Sequence, residues 1–233
     1  MSIESPADWR GLKQVAKVAR LTLDALAAQV FAAHRARSAP ALVYGFPGTV
    51  LISVNDEIVH GIPGARRISG GDIVKIDVTV EKDAYVADAA RSIVVEPGNP
   101  IAHRLVACAT AAFQAALAVA RAGVRVNEIR RAVEGEVRRR GFSVVEGLSG
   151  HGVGRTIHEE PTVPNRYDPF QRDVLTEGLV LTIEPMISAG SARVVQSSDG
   201  WALRTRDGSL SAHHEHTLVI TRGTPIVLTG KAA

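Results

Sequence analysis

Apolar residues recur at helical spacing near the start of the chain. Leu12, Val15, Ala19, Leu23, Leu26 and Val30 fall on one stripe of an amphipathic helix predicted from Trp9 to about Ala33. From Leu42 to Val59 the pattern reads as extended, interrupted by Gly45, Pro47 and Gly48. Two alternating runs follow, Asp72 to Val80 and Tyr85 to Val95, which predict a β-hairpin turning at Lys82 and Asp83. Asn99 and Pro100 form an N-cap and first-turn signal for a helix reaching about Ala122. A further helix is predicted from about Asn127 to Arg140, with Gly141 as its stop. Phe142 to Glu146, Leu179 to Glu184, Ala192 to Gln196 and His216 to Thr221 read as strands between Gly- and Pro-rich loops. Helix, strands and hairpin occur once on each side of Gly123, which points to an internal duplication. The class is α+β, with antiparallel strands in a central curved sheet and helices outside.

Composition narrows this picture. At 233 residues and 45% hydrophobic content, the chain can bury a sizeable core, and a single domain over 1–233 is expected. No apolar run approaches the ~18 residues that cross a bilayer. The opening MSIESPADWR also lacks the basic start and apolar centre of a secretory signal, so a soluble cytoplasmic protein is expected. The single Cys108 cannot form an internal disulfide and lies in an Ala-rich helical stretch, as a small core residue would. Net charge is +3, and the basic residues cluster only at Arg138, Arg139 and Arg140. That is too little for a nucleic-acid footprint. Those arginines suit a solvated helix C-terminus, the alternative being a rim that docks on a larger acidic assembly.

The chemistry concentrates in polar residues on apolar strands. A turn at Lys82 and Asp83 makes Asp77 and Asp88 cross-strand partners on one face, roughly 5 Å apart at Cβ, where like charges repel. A divalent cation between them would relieve this. GHGVGRTIHEEP adds His151, His158, Glu159 and Glu160; LTIEPM ends an apolar strand with Glu184; HHEHTLVI carries Glu215; and NDEIVHGIP presents His60. Converging buried anions must be paired or coordinate a cation. Four carboxylates, Asp77, Asp88, Glu184 and Glu215, plus an imidazole suit two divalent ions of the manganese, iron, cobalt or zinc type, with open positions for water. In the cluster from His213 to His216, strand alternation turns Glu215 to one face and His214 and His216 to the other, so those histidines are read as structural.

At these residues the chain resembles the short bacterial type I methionine aminopeptidases of the pita-bread metallopeptidase family. The resemblance runs over nearly the whole chain, through NDEIVHGIP, GDIVKIDVTV with its downstream AD, GHGVGRTIHEEP, TIEPM and GWALRTRDGSLSAHHEHT. It implies the pita-bread fold with an internal pseudo-two-fold. It also implies metal ligands at Asp77, Asp88, His151, Glu184 and Glu215, and two non-ligand active-site histidines at His60 and His158. The pocket for the methionine side chain falls on Phe46, Leu51, Ile157 and Trp201, with Tyr44 and Val43 close by. Val43 stands where many relatives have tyrosine, and Leu51 replaces a frequent cysteine. A monovalent cation is implied near Asn55 and Ser211. Between Val30 and Phe31 relatives carry a turn and part of a second helix; either two helices are fused there or a segment is missing.

The activity implied is removal of N-terminal methionine from peptides and nascent chains with a small second residue, by attack of a water shared between two metals. Glu184 would act as general base, His158 as hydrogen-bond donor to the oxyanion, and His60 as a positioning group. Function on nascent chains would suggest transient ribosome docking by a monomer, with no membrane and no specific nucleic acid. A peptidase cleaving before proline would use the same ligands, but such relatives carry an additional N-terminal domain. A non-catalytic binding member would typically have lost ligands, and all five are present.

Overall fold

The computed structural model describes residues 27–166 and 172–230. Most of the predicted Trp9 to Ala33 helix lies outside the described residues; its end is helix α1, residues 27–34, which runs unbroken across Val30 and Phe31. There Phe31 is buried, whereas Val30, expected on the apolar stripe, is 54% exposed. Strand β1 (Arg37–Ser38) leads into α2 (Ala39–Tyr44), where an extended segment was expected from Leu42. The signals for this turn of helix are local. Ser38 Oγ accepts the Ala41 N–H, Pro40 occupies the first turn, and Gly45 ends it in the left-handed region at φ 72°.

The order continues with β2 (Leu51–Val54), β3 (Glu57–Val59), β4 (Ile73–Lys82), β5 (Tyr85–Val94), α3 (Pro100–Val119), α4 (Val126–Arg139), β6 (Ser143–Val144) and β7 (Ser149–Gly152). It ends with β8 (Glu159–Pro164), β9 (Val180–Ile183), β10 (Met186–Ser188), β11 (Val194–Gln196), β12 (Leu203–Thr205), β13 (Ser211–Val219) and β14 (Ile226–Val227). An antiparallel sheet runs β1-β4-β5-β13-β9-β7-β8, with β2 on β4, β10 on β13 and β6, and β14 on β13. A smaller sheet joins β11, β12 and β3. The architecture is the pita-bread α+β fold: a sheet with helices against it. At its centre β5, from the first half, pairs with β13, from the second.

The hairpin forms one residue later than the alternation suggested. Asp83 and Ala84 are both left-handed, at φ 52° and 63°, so they form the two-residue turn and Lys82 pairs with Tyr85. Asp77 therefore faces Ala90, and Asp88 faces Thr79. The partner changes by two positions, so both aspartates keep the same face and become diagonal neighbours.

The start of α3 and the stop of α4 follow their signals, whereas α3 ends at Val119 and α4 begins at Val126 without a side-chain cap. Asn99 caps α3 by accepting the Ala102 N–H at 2.8 Å, and Gly141 follows α4 at φ 79°. Helix α3, 20 residues long, is the one described helix apolar and long enough to cross a membrane. It lies in the core instead, with Leu105, Cys108, Ala112 and Phe113 buried against α4 and β13 among Ile129, Leu181, Ile183 and Leu218. Arg138, Arg139 and Arg140 close α4 on Glu134 and Glu136.

Candidate metal centre

Five neighbouring strands each deliver one of the five predicted ligands. In sheet order they are Asp77 on β4, Asp88 on β5, Glu215 on β13, Glu184 at the end of β9 and His151 on β7. Register aligns them: Ala90 pairs with Asp77 on one side and Glu215 on the other, so these two carboxylates share a row, with Asp88 two residues along β5. Donor atoms of Asp88, His151 and Glu215 all lie within 4.8 Å of one another, as do those of Asp77, His213 and Glu215. Glu215 belongs to both groups.

Neighbouring side chains fix the ligands. The Thr79 hydroxyl donates to Asp88 Oδ2 at 2.9 Å, and the Thr182 hydroxyl to Glu184 Oε1 at 2.7 Å. Thr217 Oγ1 accepts the Asp88 N–H and donates to its carbonyl, both at 2.8 Å, tying β5 to β13 where their carboxylates project. His151 Nδ1 lies 2.9 Å from the Gly152 carbonyl. Only a protonated Nδ1 can donate there, which leaves the Nε2 lone pair, 3.5 Å from Glu184 Oε1, for a cation.

Electrostatics agree with this donor set. Burial and the neighbouring carboxylates raise Asp77, Glu184 and Glu215 well above the usual carboxylate range, and burial raises Asp88 to about 6. Burial lowers His151 to about 4, so its imidazole is neutral. Asp77 Oδ1, Asp88 Oδ1 and Glu215 Oε1 are buried without a hydrogen-bond partner. Orphaned anionic oxygens converging beside a neutral imidazole fit divalent cations.

The ligands floor a cavity of about 680 Å³. His60 and His158 line it, as do Phe46, Leu51, Ile157, Trp201 and Tyr44. Phe46 and Trp201 meet edge to face with centroids 5.2 Å apart. Val43 is exposed and is not part of the lining. His60 follows β3 in the left-handed region at φ 62°, a strained conformation for a non-glycine residue. The next residue must be glycine, because a Cβ at Gly61 would collide with the Ile52 carbonyl. Burial pulls His60 and His158 below the usual histidine range. His158 Nδ1 lies 2.6 Å from the Tyr44 hydroxyl. With that hydroxyl as donor, the neutral ring carries its proton on Nε2. Its ring packs edge to face on His151, 4.3 Å between centroids.

Several lining residues were not anticipated: Val59, Thr79, Leu148, Thr162, Met186 and His213. Strand parity could have found His213, two residues from Glu215. His214 and His216 are structural, packing on Phe113 at 5.1 and 5.2 Å. Near Asn55 and Ser211 stands the side chain of Lys75, whose pKa burial lowers to about 7. The buried Lys75 Nζ donates to the Asn55 carbonyl at 2.7 Å, to Ser211 Oγ at 3.0 Å and to the Ser211 carbonyl at 3.2 Å.

Residues 8–222 match metallopeptidase family M24. Methionine aminopeptidase 2 of Bacillus subtilis is 40% identical, covering 98% of this chain and 99% of that protein. The crystal structure of methionine aminopeptidase from Thermotoga maritima superposes with a TM-score of 0.88 at 31% identity, covering 99% of this chain and 100% of the other. A prolidase from Pyrococcus furiosus reaches 0.64 at 25% identity, covering 79% of this chain and 49% of the other.

Proposed function

The chain belongs to metallopeptidase family M24, among its methionine aminopeptidases, and on that footing we propose that it removes N-terminal methionine from peptides and nascent proteins whose second residue is small. The observation that carries this reading is the row of five donors on five adjacent strands, flooring a cleft with an aromatic wall. Asp77, Asp88, His151, Glu184 and Glu215 would hold two divalent ions, which when bound supply an acidified water and a counter-charge for the peptide carbonyl. The donor set accepts cobalt, manganese, iron or zinc.

The chain's own residues complete the chemistry. Glu184 has its proton affinity raised by burial and one oxygen held by Thr182, which suits a group that takes a proton from water and returns it to the departing amine. His158, its Nδ1 engaged by Tyr44, offers Nε2–H to the oxygen that becomes negative during attack. His60 positions the scissile amide or the residue beyond it. Phe46, Trp201, Leu51, Ile157 and Tyr44 enclose the thioether, with sulfur against the two aromatic rings. The acidic floor favours a free α-amine and so restricts attack to a chain end.

At Asn55 and Ser211 the Lys75 amine, its pKa lowered to about 7 by burial, occupies the place of a monovalent cation. The setting implied is a cytoplasmic monomer acting on nascent chains with transient ribosome association, without membrane or specific nucleic-acid partners. The test is metal content per chain together with release of free methionine from Met-Ala-Ser. Two equivalents with turnover are expected. Cleavage of Xaa-Pro peptides in preference to Met-Ala would refute the methionine assignment.

A further inference from the structure

The family's ligand set contains one imidazole, whereas the centre of this chain contains two. His213 lies on β13 two residues before Glu215 and on its face. It is 1% exposed, lines the cleft, and neither ring nitrogen has a hydrogen-bond partner. A buried imidazole left unsatisfied carries an uncompensated desolvation cost. His213 Nε2 stands 3.7 Å from Glu184 Oε2 and 3.7 Å from Glu215 Oε2. That is too long for a hydrogen bond. It is close to the roughly 3.0–3.5 Å that separates adjacent donors sharing an ion with bonds near 2.1 Å.

We propose that His213 is a sixth donor of the centre, ligating through Nε2 the ion that Asp77 and Glu215 hold. The inference rests on the dinuclear reading above. It gives the two ions matching surroundings, His151 with Asp88 and Glu215 on one side, and His213 with Asp77 and Glu215 on the other. An added imidazole moves the second position away from ions that favour all-oxygen sites, such as magnesium, and toward zinc, cobalt or iron.

The test uses full-length protein stripped with a chelator and titrated with cobalt(II). Stoichiometry and affinity come from calorimetry, and ligating histidines are counted as hyperfine-shifted, solvent-exchangeable ring N–H resonances. Two such resonances are expected in the wild type. His213→Gln should lose one and bind the second equivalent at least about ten-fold more weakly, while the first is retained. Two bound ions with a single resonance, unchanged by His213→Gln, would overturn the sixth donor and leave a five-donor centre in place. Failure to bind cobalt at all would instead reject the dinuclear reading and this inference with it. Should His213→Gln not fold, the count on wild type labelled with ¹⁵N-histidine decides alone: two metal-shifted rings support the inference, and one overturns it.

Discussion

Tyr44→Phe isolates one hydrogen bond that acts only through a neighbour. The hydroxyl lies 2.6 Å from His158 Nδ1, and burial keeps that ring neutral, so the bond selects the tautomer that carries a proton on Nε2. Without it the two tautomers compete and the ring loses an anchor. The net value of one such bond is about 1 kcal/mol, which corresponds to about five-fold in rate. Removing the oxyanion donor itself costs roughly 3 kcal/mol, or on the order of 10² to 10³. Tyr44→Phe should therefore lower kcat about five-fold on Met-Ala-Ser, with metal content unchanged, and His158→Ala should lower it at least about a hundred-fold. The double variant should be no slower than His158→Ala, giving a coupling of about 1 kcal/mol. If Tyr44→Phe costs the same factor in the presence and the absence of the imidazole, the hydroxyl acts on substrate or packing, and the tautomer argument is wrong.

Asp88→Ala or Glu215→Ala should lose the second metal equivalent and all measurable turnover, whereas His158→Ala retains both ions; elemental analysis of the purified proteins separates these outcomes. The raised carboxylates give the chelated protein a definite pH dependence. Groups whose folded pKa lies above the unfolded value stabilise the fold at low pH, and that contribution is lost as pH rises past about 6 for Asp88 and higher for Asp77, Glu184 and Glu215. Asp77→Asn should thus raise the melting temperature of the chelated protein more at pH 8 than at pH 5, because the neutral amide removes this loss while the depressed His151 and His213, which lose stability as pH falls, are present in both proteins. Cobalt at 100 times its Kd should restore about 2.7 kcal/mol at pH 8. Lys75→Met removes the hydrogen bonds to the Asn55 carbonyl and Ser211 and should destabilise by about 1–3 kcal/mol in urea titrations, while wild-type stability stays the same in potassium and sodium salts at equal ionic strength. Phe46→Ala should raise KM for Met-Ala-Ser more than it lowers kcat, through lost burial of the thioether.

Sequence alone determined the two long helices, the hairpin and the faces of the ligand-bearing strands, but not the short helix α2 or the exposure of Val30. Alternation depends only on the pleat of a strand, so Asp77 and Asp88 keep a common face whichever residues form the turn, and His214 and His216 are turned away from Glu215. The cap at Asn99 and the stop at Gly141 are equally local. Tertiary structure decided which strands lie side by side. The partner of Asp77 changed with a one-residue shift of the turn to Asp83 and Ala84. The order that seats β13 between β5 and β9 brings Glu215 beside residues more than a hundred positions away along the chain. Parity makes His213 share a face with Glu215, but only its burial against Glu184 and Glu215 shows an imidazole with no protein partner. Nor could pattern alone show that the Lys75 amine reaches the Asn55 and Ser211 carbonyls, because that contact joins the first part of β4 to a turn and to a strand start 136 residues later. Periodicity follows from bonded geometry and short-range sterics, which the local sequence encodes. Proximity between distant segments is set by the packing of the whole core, which no local pattern contains.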